Sequence, residues 1–418
     1  MADRSRTFRD MRVPLKLPLR GLLGPDRAAA RQSLAALAIS CATAITAGLL
    51  LSSLDARLFE LPGLLVLVPA AVGIRGSIFG ALGSRFATSI HTGTFGLSRR
   101  LDTLPGQNIA AAAILTVAAS WMAAVLAKAT ASAFNVPGTI SVTDFVVVSV
   151  VGGVLASVVV LVVTVALAGA AVRYGWDLDN VNAPVVSAIG DMVTIPALFA
   201  ATVLVSIPVL TPTLALALTA VTVLMTVVGW RSRRTILRTI VRESLPILAV
   251  TGLIDSIAGV VLEKRFLTFG SLPALLILVP ASLSGAGAVG SILSARLSTK
   301  LHLGQTRPGP LPDGVARADI RTTFGIAGPV FVLNGILALL AAEVISQEGP
   351  GALRMLAISV FGGMLATVLV VVLAYYGTVA ATRLRLDPDT YGIPIVTSTI
   401  DLVGAYTLVL AIALLAPV

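Results

Sequence analysis

The sequence predicts an all-α polytopic membrane protein of about 11 transmembrane helices. They are expected as two parallel five-helix repeats joined by one linking helix, 5+1+5, with a pseudo-two-fold axis along the membrane normal. Composition comes first: 56% of the residues are hydrophobic, 12% are charged, and the mean hydropathy is +0.97. A soluble domain carries about 25% charged residues, so most of this chain belongs in lipid. Its 418 residues hold ten to twelve apolar runs of about 20 residues. Duplication comes second. LPGLLVLVPAAVGIRGSIFGALGSRFATSIHTG (61–93) overlays LPALLILVPASLSGAGAVGSILSARLSTKLHLG (272–304) without a gap. The overlay pairs Pro62 with Pro273, Pro69 with Pro280, Gly76 with Gly287, Arg85 with Arg296 and His91 with His302. Glycine and polar positions kept in register over such a length mark a tandem repeat.

In chain order, residues 1–30 carry seven arginines and lysines, from Arg4 to Arg27, and no apolar core of signal-peptide length. They read as a basic cytoplasmic tail. The first repeat is expected over 31–210, the linking helix and a basic loop over 211–235, and the second repeat over 236–418. Within these bounds, apolar runs fall near 31–52, 61–90, 107–131, 143–172, 183–207, 211–230, 244–263, 271–300, 322–346, 353–381 and 392–416. The runs at 61–90 and 271–300 exceed one span and hold Gly and Ser clusters, so tilting, extension beyond the membrane or local unwinding is expected there.

Each repeat has an odd number of spans, so a direct fusion would invert the second. The extra helix at 211–230, ending in Arg231-Ser-Arg-Arg234, returns the chain to the side on which it started. The net charge of +10 sits in the tail and between apolar runs, as in loops facing an anionic leaflet. That distribution argues against a nucleic-acid partner. The positive-inside rule then gives a cytoplasmic N-terminus and an external C-terminus, with the plasma membrane as the expected location. The single Cys41 forms no intrachain disulfide.

A second repeated pair carries the chemistry. DLDNVNAPVVSAIGDMVT (177–194) aligns with DPDTYGIPIVTSTIDLVG (387–404). Asp177 and Asp179 match Asp387 and Asp389, Pro184 matches Pro394 at a first-turn position, and Asp191 matches Asp401. An acid inside a span costs about 2.5–3.5 kcal/mol on insertion scales, and such acids usually mark ion pathways. Two at matched positions point to a shared path, where two carboxylates repel unless they share a proton or hold a cation. Ser187, Thr397 and Ser398 add oxygen donors, and no cysteine or HxxxH pair stands nearby. Hard oxygen donors in small number suit hydrated Mg²⁺ as the transported ion, with no organic cofactor. His91 and His302 form a matched pair at helix ends, read as interfacial residues rather than ligands. Asp255 stands opposite Ala44 in the first repeat, either as an extra site for a coupling ion or proton or as a packing acid. Arg75 stands opposite Ala286, to pair with an acid or to shape the permeation field.

On these residues the chain resembles the MgtE magnesium channels and, more closely, solute carrier family 41, in which two MgtE-type membrane domains share one polypeptide. LVPAAVGIRGSIFGALGSRFATSIHTG looks like that family's glycine stretch with its S-R-x-x-T, and 387–401 is similar to the segment carrying its pore aspartate. The resemblance implies Mg²⁺ passage between the halves, lined by the second and fifth spans of each, with Asp191 and Asp401 as pore carboxylates. It implies a monomer, since the fused repeats replace a homodimer. Ser77 and Ala288 stand where the family commonly has asparagine, which bears on ion selectivity. The alternative is a secondary carrier or exchanger of another cation: Na⁺- or H⁺-coupled, another divalent metal, or a small organic cation. Aromatics at only 5% argue against an organic cation held by cation–π contact. An aspartyl protease would also use two membrane aspartates, but Gly190-Asp191 has no match before Asp401, which follows Ile400; no enzyme is expected.

Overall fold

The computed structural model describes residues 27–91, 93, 96, 100–174, 178–265, 272–302, 304–384 and 393–416. The basic tail before residue 27, together with Asp177, Asp387 and Asp389, lies outside them, as do the side chains of Asp179, His91 and His302. The helices are α1 (Arg27–Ser53), α2 (Asp55–Glu60), α3 (Leu64–His91), α4 (Leu104–Ala133), α5 (Val142–Tyr174) and α6 (Leu178–Ala201). They continue with α7 (Leu210–Trp230), α8 (Thr235–Lys264), α9 (Ala274–His302), α10 (Gly314–Val344), α11 (Ala352–Leu384) and α12 (Ile393–Leu415). Among the described residues there is no strand.

Among the described residues, ten helices, α3 to α12, are long and apolar enough to cross a membrane. The expected first span, near 31–52, falls within α1, where Leu37–Ser53 is a shorter apolar helical stretch among the described residues. Both long glycine-rich runs stay helical throughout, with Pro69 inside α3 and Pro280 inside α9, so the local unwinding allowed by the sequence does not occur. Pro394 is the second described residue of α12, and the residues immediately before Ile393 lie outside the described ones. Pro184 does not open α6, which begins at Leu178.

Helix starts follow local chemistry. Thr103 caps α4 by accepting from the Gly106 N–H at 3.2 Å, and Asp313 caps α10 by accepting from Ala316 at 2.9 Å. The linking helix α7 rests on α4 and α5, where Trp121 Nε1 donates to Thr219 Oγ1 at 3.1 Å. Only 17% of its apolar window is buried, against 44–67% in the other spans, so most of α7's apolar surface is left uncovered by the other helices.

The leading helices cross over. α1 packs on α9 and α10 as well as α6, while α8 packs on α3 and α4 as well as α12. The contacts recur in register. Gly48 of α1 lies against the main chain of Ile277 in α9, and Gly259 of α8 lies against the main chain of Val66 in α3. In both places an added Cβ would collide with a carbonyl, so only glycine lets the helices approach this closely. At the helix ends, Ser52 Oγ donates to the Pro273 carbonyl at 2.9 Å. At the matching place, the Glu263 carboxylate accepts from the Gly63 and Leu65 N–H groups at 2.7 and 3.2 Å. A further pair ties later helices: Ser149 Oγ of α5 donates to the Ser120 carbonyl of α4 at 2.6 Å, and Ser359 Oγ of α11 to the Phe331 carbonyl of α10 at 2.7 Å.

Candidate cation site among three aspartates

Three helices each bring one carboxylate inward: α6 with Asp191, α8 with Asp255 and α12 with Asp401. Asp191 is 6% exposed and Asp255 fully buried, while Asp401 is half-buried. Asp191 and Asp255 both lie near enough to Asp401 for their charges to act on it. The surroundings come from the glycine-rich helices. Ser284 of α9 donates its hydroxyl to Asp191 Oδ2 at 2.8 Å. Gly287 of the same helix faces Asp401, whose Oδ1 would lie 3.6 Å from a Cβ added there. Gly73 of α3 makes room for Asp255, whose Oδ2 would stand 2.5 Å from such a Cβ.

Asp255 is the unsatisfied member. Ser398 is the hydroxyl facing it, yet neither carboxylate oxygen of Asp255 receives a well-formed hydrogen bond. Burying an unpaired carboxylate is expensive, so the environment favours a cation or proton at this point. Thr194, one turn along α6 from Asp191, also has a buried hydroxyl without a partner. Yet among the described residues no three His, Cys, Asp or Glu side chains converge tightly enough to chelate a bare ion. The arrangement is one of a few hard, negatively charged oxygens around small residues. Such a set can attract a cation that keeps part of its water shell.

The structure brings Asp191, Asp255, Asp401 and Ser398 to one region. Ser187 is exposed, and the Thr397 hydroxyl donates to the Pro394 carbonyl of its own helix at 3.0 Å. Ala288 packs near Leu37 and Cys41 of α1 and Ile326 and Val330 of α10. Ser284 and Gly73 are the neighbours that sequence reasoning missed. They occupy one register of the duplicated stretch, and their difference was the available signal.

Arg75, on α3 two residues past Gly73, is 2% exposed. One guanidinium nitrogen donates to the Ala71 carbonyl of its own helix, Nε has no partner, and another nitrogen would lie 3.1 Å from a Cβ on Gly153 of α5. No carboxylate pairs with it among the described residues.

A family model for MgtE, described as a divalent cation transporter, matches residues 68–201 and 279–411. Solute carrier family 41 member 3 of Rattus norvegicus is 24% identical over 397 residues, spanning 88% of this chain and 84% of that protein. Solute carrier family 41 member 2 of Homo sapiens is 24% identical over 366 residues, spanning 83% of this chain and 63% of that protein. No solved structure gives a significant match.

Proposed function

The chain belongs to the MgtE family of divalent cation transporters, and from that premise we propose that it carries Mg²⁺ along a path between its two repeats. The observation that carries the reading is the pair of repeat-matched carboxylates, Asp191 and Asp401, set in one electrostatic neighbourhood inside the membrane-spanning helices. Asp255 joins them as a third carboxylate, and Ser398 faces it. Ser187 and Thr397, one turn before their aspartates, stay outside this set: Ser187 is exposed, and the Thr397 hydroxyl is held by the Pro394 carbonyl of its own helix. The ion is held through its water shell: small residues such as Gly287 leave space around the carboxylates, and Mg²⁺ gives up its waters reluctantly. Two negative charges draw the cation in, and the sparse direct ligation leaves it free to depart.

The same reading assigns the halves. Residues 31–210 and 236–418 form parallel five-helix repeats about a pseudo-two-fold along the membrane normal, and α7 with its basic loop joins them. The recurring contacts Gly48–Ile277 and Gly259–Val66 support this arrangement. Arg231, Arg233 and Arg234 after α7 support a cytoplasmic N-terminus and external C-terminus in the plasma membrane. The path lies within one chain, so the working unit is a monomer.

The test is Mg²⁺ flux into proteoliposomes. Asp191→Ala and Asp401→Ala should each abolish flux while the protein still inserts and elutes as the wild type does. Flux at the wild-type rate in both variants sinks the reading. Imposed Na⁺ and proton gradients separate a channel, which ignores them, from the exchanger alternative, which follows them.

A further inference from the structure

We infer that Arg75 is a fixed counter-charge to Asp255, held behind α3 so that the carboxylate cluster and one divalent cation sum to zero. The inference rests on the reading of that cluster as a cation site.

A buried guanidinium without a carboxylate is costly in a membrane, and such a residue is normally paired or functional. Packing does not require it here, because the second half fills the same place without charge. The overlay sets Arg75 against Ala286 and Gly76 against Gly287. The matching ties from Ser149 to Ser120 and from Ser359 to Phe331 set Ser120 against Phe331. In the first half, Gly153 of α5 is flanked by Ser120 and the Arg75 guanidinium. In the second, Gly363 of α11 abuts the Phe331 ring, which packs in one apolar cluster with Ala286. An arginine and a serine thus stand in for a phenylalanine and an alanine.

The charge has a partner across the helix. Gly73 touches Asp255, and Arg75 lies two residues on, roughly 200° around α3 at 3.6 residues per turn. Helix thickness then puts the guanidinium about 10 Å from the carboxylates. At that separation in a protein interior, one charge shifts the binding of a cation on the order of tenfold or more. Asp191 and Asp401 alone neutralise a divalent ion. This chain adds one negative charge at Asp255, where the first half has Ala44, and one positive charge at Arg75, where the second half has Ala286. The sum is unchanged, and the loaded site stays neutral.

The experiment measures the Mg²⁺ dissociation constant of the purified full chain by calorimetric titration, with melting temperature as the folding control. Arg75→Ala combined with Ser120→Phe copies the packing of the second half and should fold. It should bind Mg²⁺ about tenfold more tightly, and Arg75→Lys should match the wild type. Asp255→Asn should weaken binding by a larger factor, because that carboxylate lies in the cluster, and the three substitutions together should bind less tightly than the arginine-free pair and more tightly than Asp255→Asn alone. Should Arg75→Ala with Ser120→Phe fail to fold, Arg75→Met carries the same expectation. Unchanged affinity in a folded arginine-free variant, or a triple variant that binds no more tightly than Asp255→Asn alone, overturns the inference. A merely structural arginine would not tighten binding when lost. Asp191→Asn and Asp401→Asn separate the two levels. Wild-type binding in both defeats the site itself, whereas lost binding there with an inert Arg75 defeats only the counter-charge.

Discussion

Asp191 and Asp401 occupy the same register of the repeat but not the same environment. Ser284 donates a hydrogen bond to Asp191, whereas the corresponding place in the first half is Gly73, which yields its space to Asp255. A hydrogen bond to a charged group contributes about 1.5–3 kcal/mol, most of it here spent on orienting the carboxylate. Ser284→Ala should therefore weaken Mg²⁺ binding by roughly threefold to tenfold with little change in melting temperature, as titration of the purified protein would read; unchanged affinity would leave the hydroxyl a packing detail. Gly73→Ala should do more, because its methyl meets Asp255 Oδ2 and forces the carboxylate away; flux should fall at least tenfold, a loss of about 1.4 kcal/mol in barrier terms. The aspartates were legible in the sequence because an acid kept twice inside apolar runs has few structural excuses. Ser284 and Gly73 were not, because small residues in a glycine-rich helix look like packing. Ser187 and Thr397 were chosen by nearness along the chain. Helix rotation of about 100° per residue decided otherwise, turning Ser398 toward Asp255 and leaving the Thr397 hydroxyl on its own backbone.

At the level of elements, the close crossings of α1 with α9 and α8 with α3 set how near the halves can come. Gly48→Ala and Gly259→Ala each push a methyl into main chain that has no rotamer with which to escape. Overpacking of this kind costs about 1–3 kcal/mol, so each variant should melt measurably lower in detergent, and the pair lower still. Equal melting temperatures would mean that the helices slide apart freely. A second device sits at the start of α10. The Asp313 carboxylate accepts from the Ala316 N–H and the Thr306 hydroxyl, at 2.9 and 2.8 Å, and these donors hold it below the ordinary carboxylate range. A depressed folded value means that the cap's stability is fully present above the unfolded value near 4 and is lost as pH falls through the lower folded value. Amide exchange at Ala316 should be slow at pH 6 and accelerate below about pH 4 beyond the trend of neighbouring amides. Asp313→Asn should remove that acid-dependent step. Capping of this sort is readable in sequence, as Asp313-Gly-Val-Ala316 shows. The glycine crossings are not, because a sequence of repeats does not state which helix of which copy faces Gly48.

For the whole molecule, duplication leaves open whether each copy folds upon itself. The crossing of α1 onto α9 and α10, and of α8 onto α3 and α4, makes each half incomplete without the other's leading helix. The aligned stretches revealed two copies because register and residue type survive in sequence; the exchange of leading helices did not show, because either packing buries the same apolar faces. Exchange has a direct consequence for a chain cut in the 231–234 turn between α7 and α8. A fragment ending there holds α3 and α4 but lacks α8, so Val66, the Gly63 N–H and the apolar surface beneath α8 lose their cover. The remaining fragment lacks α1, exposing Ile277 and the Pro273 carbonyl. Neither piece should be recovered as a monodisperse species when expressed alone. Expressed together, they should copurify and restore Mg²⁺ flux, because the missing partner surface of each is carried by the other. Size-exclusion chromatography of the single and paired fragments reads the outcome. Two separately stable fragments would mean that each half closes on its own leading helix, and the proposed path between the repeats would then have to be built from far less shared surface than α1 and α8 provide.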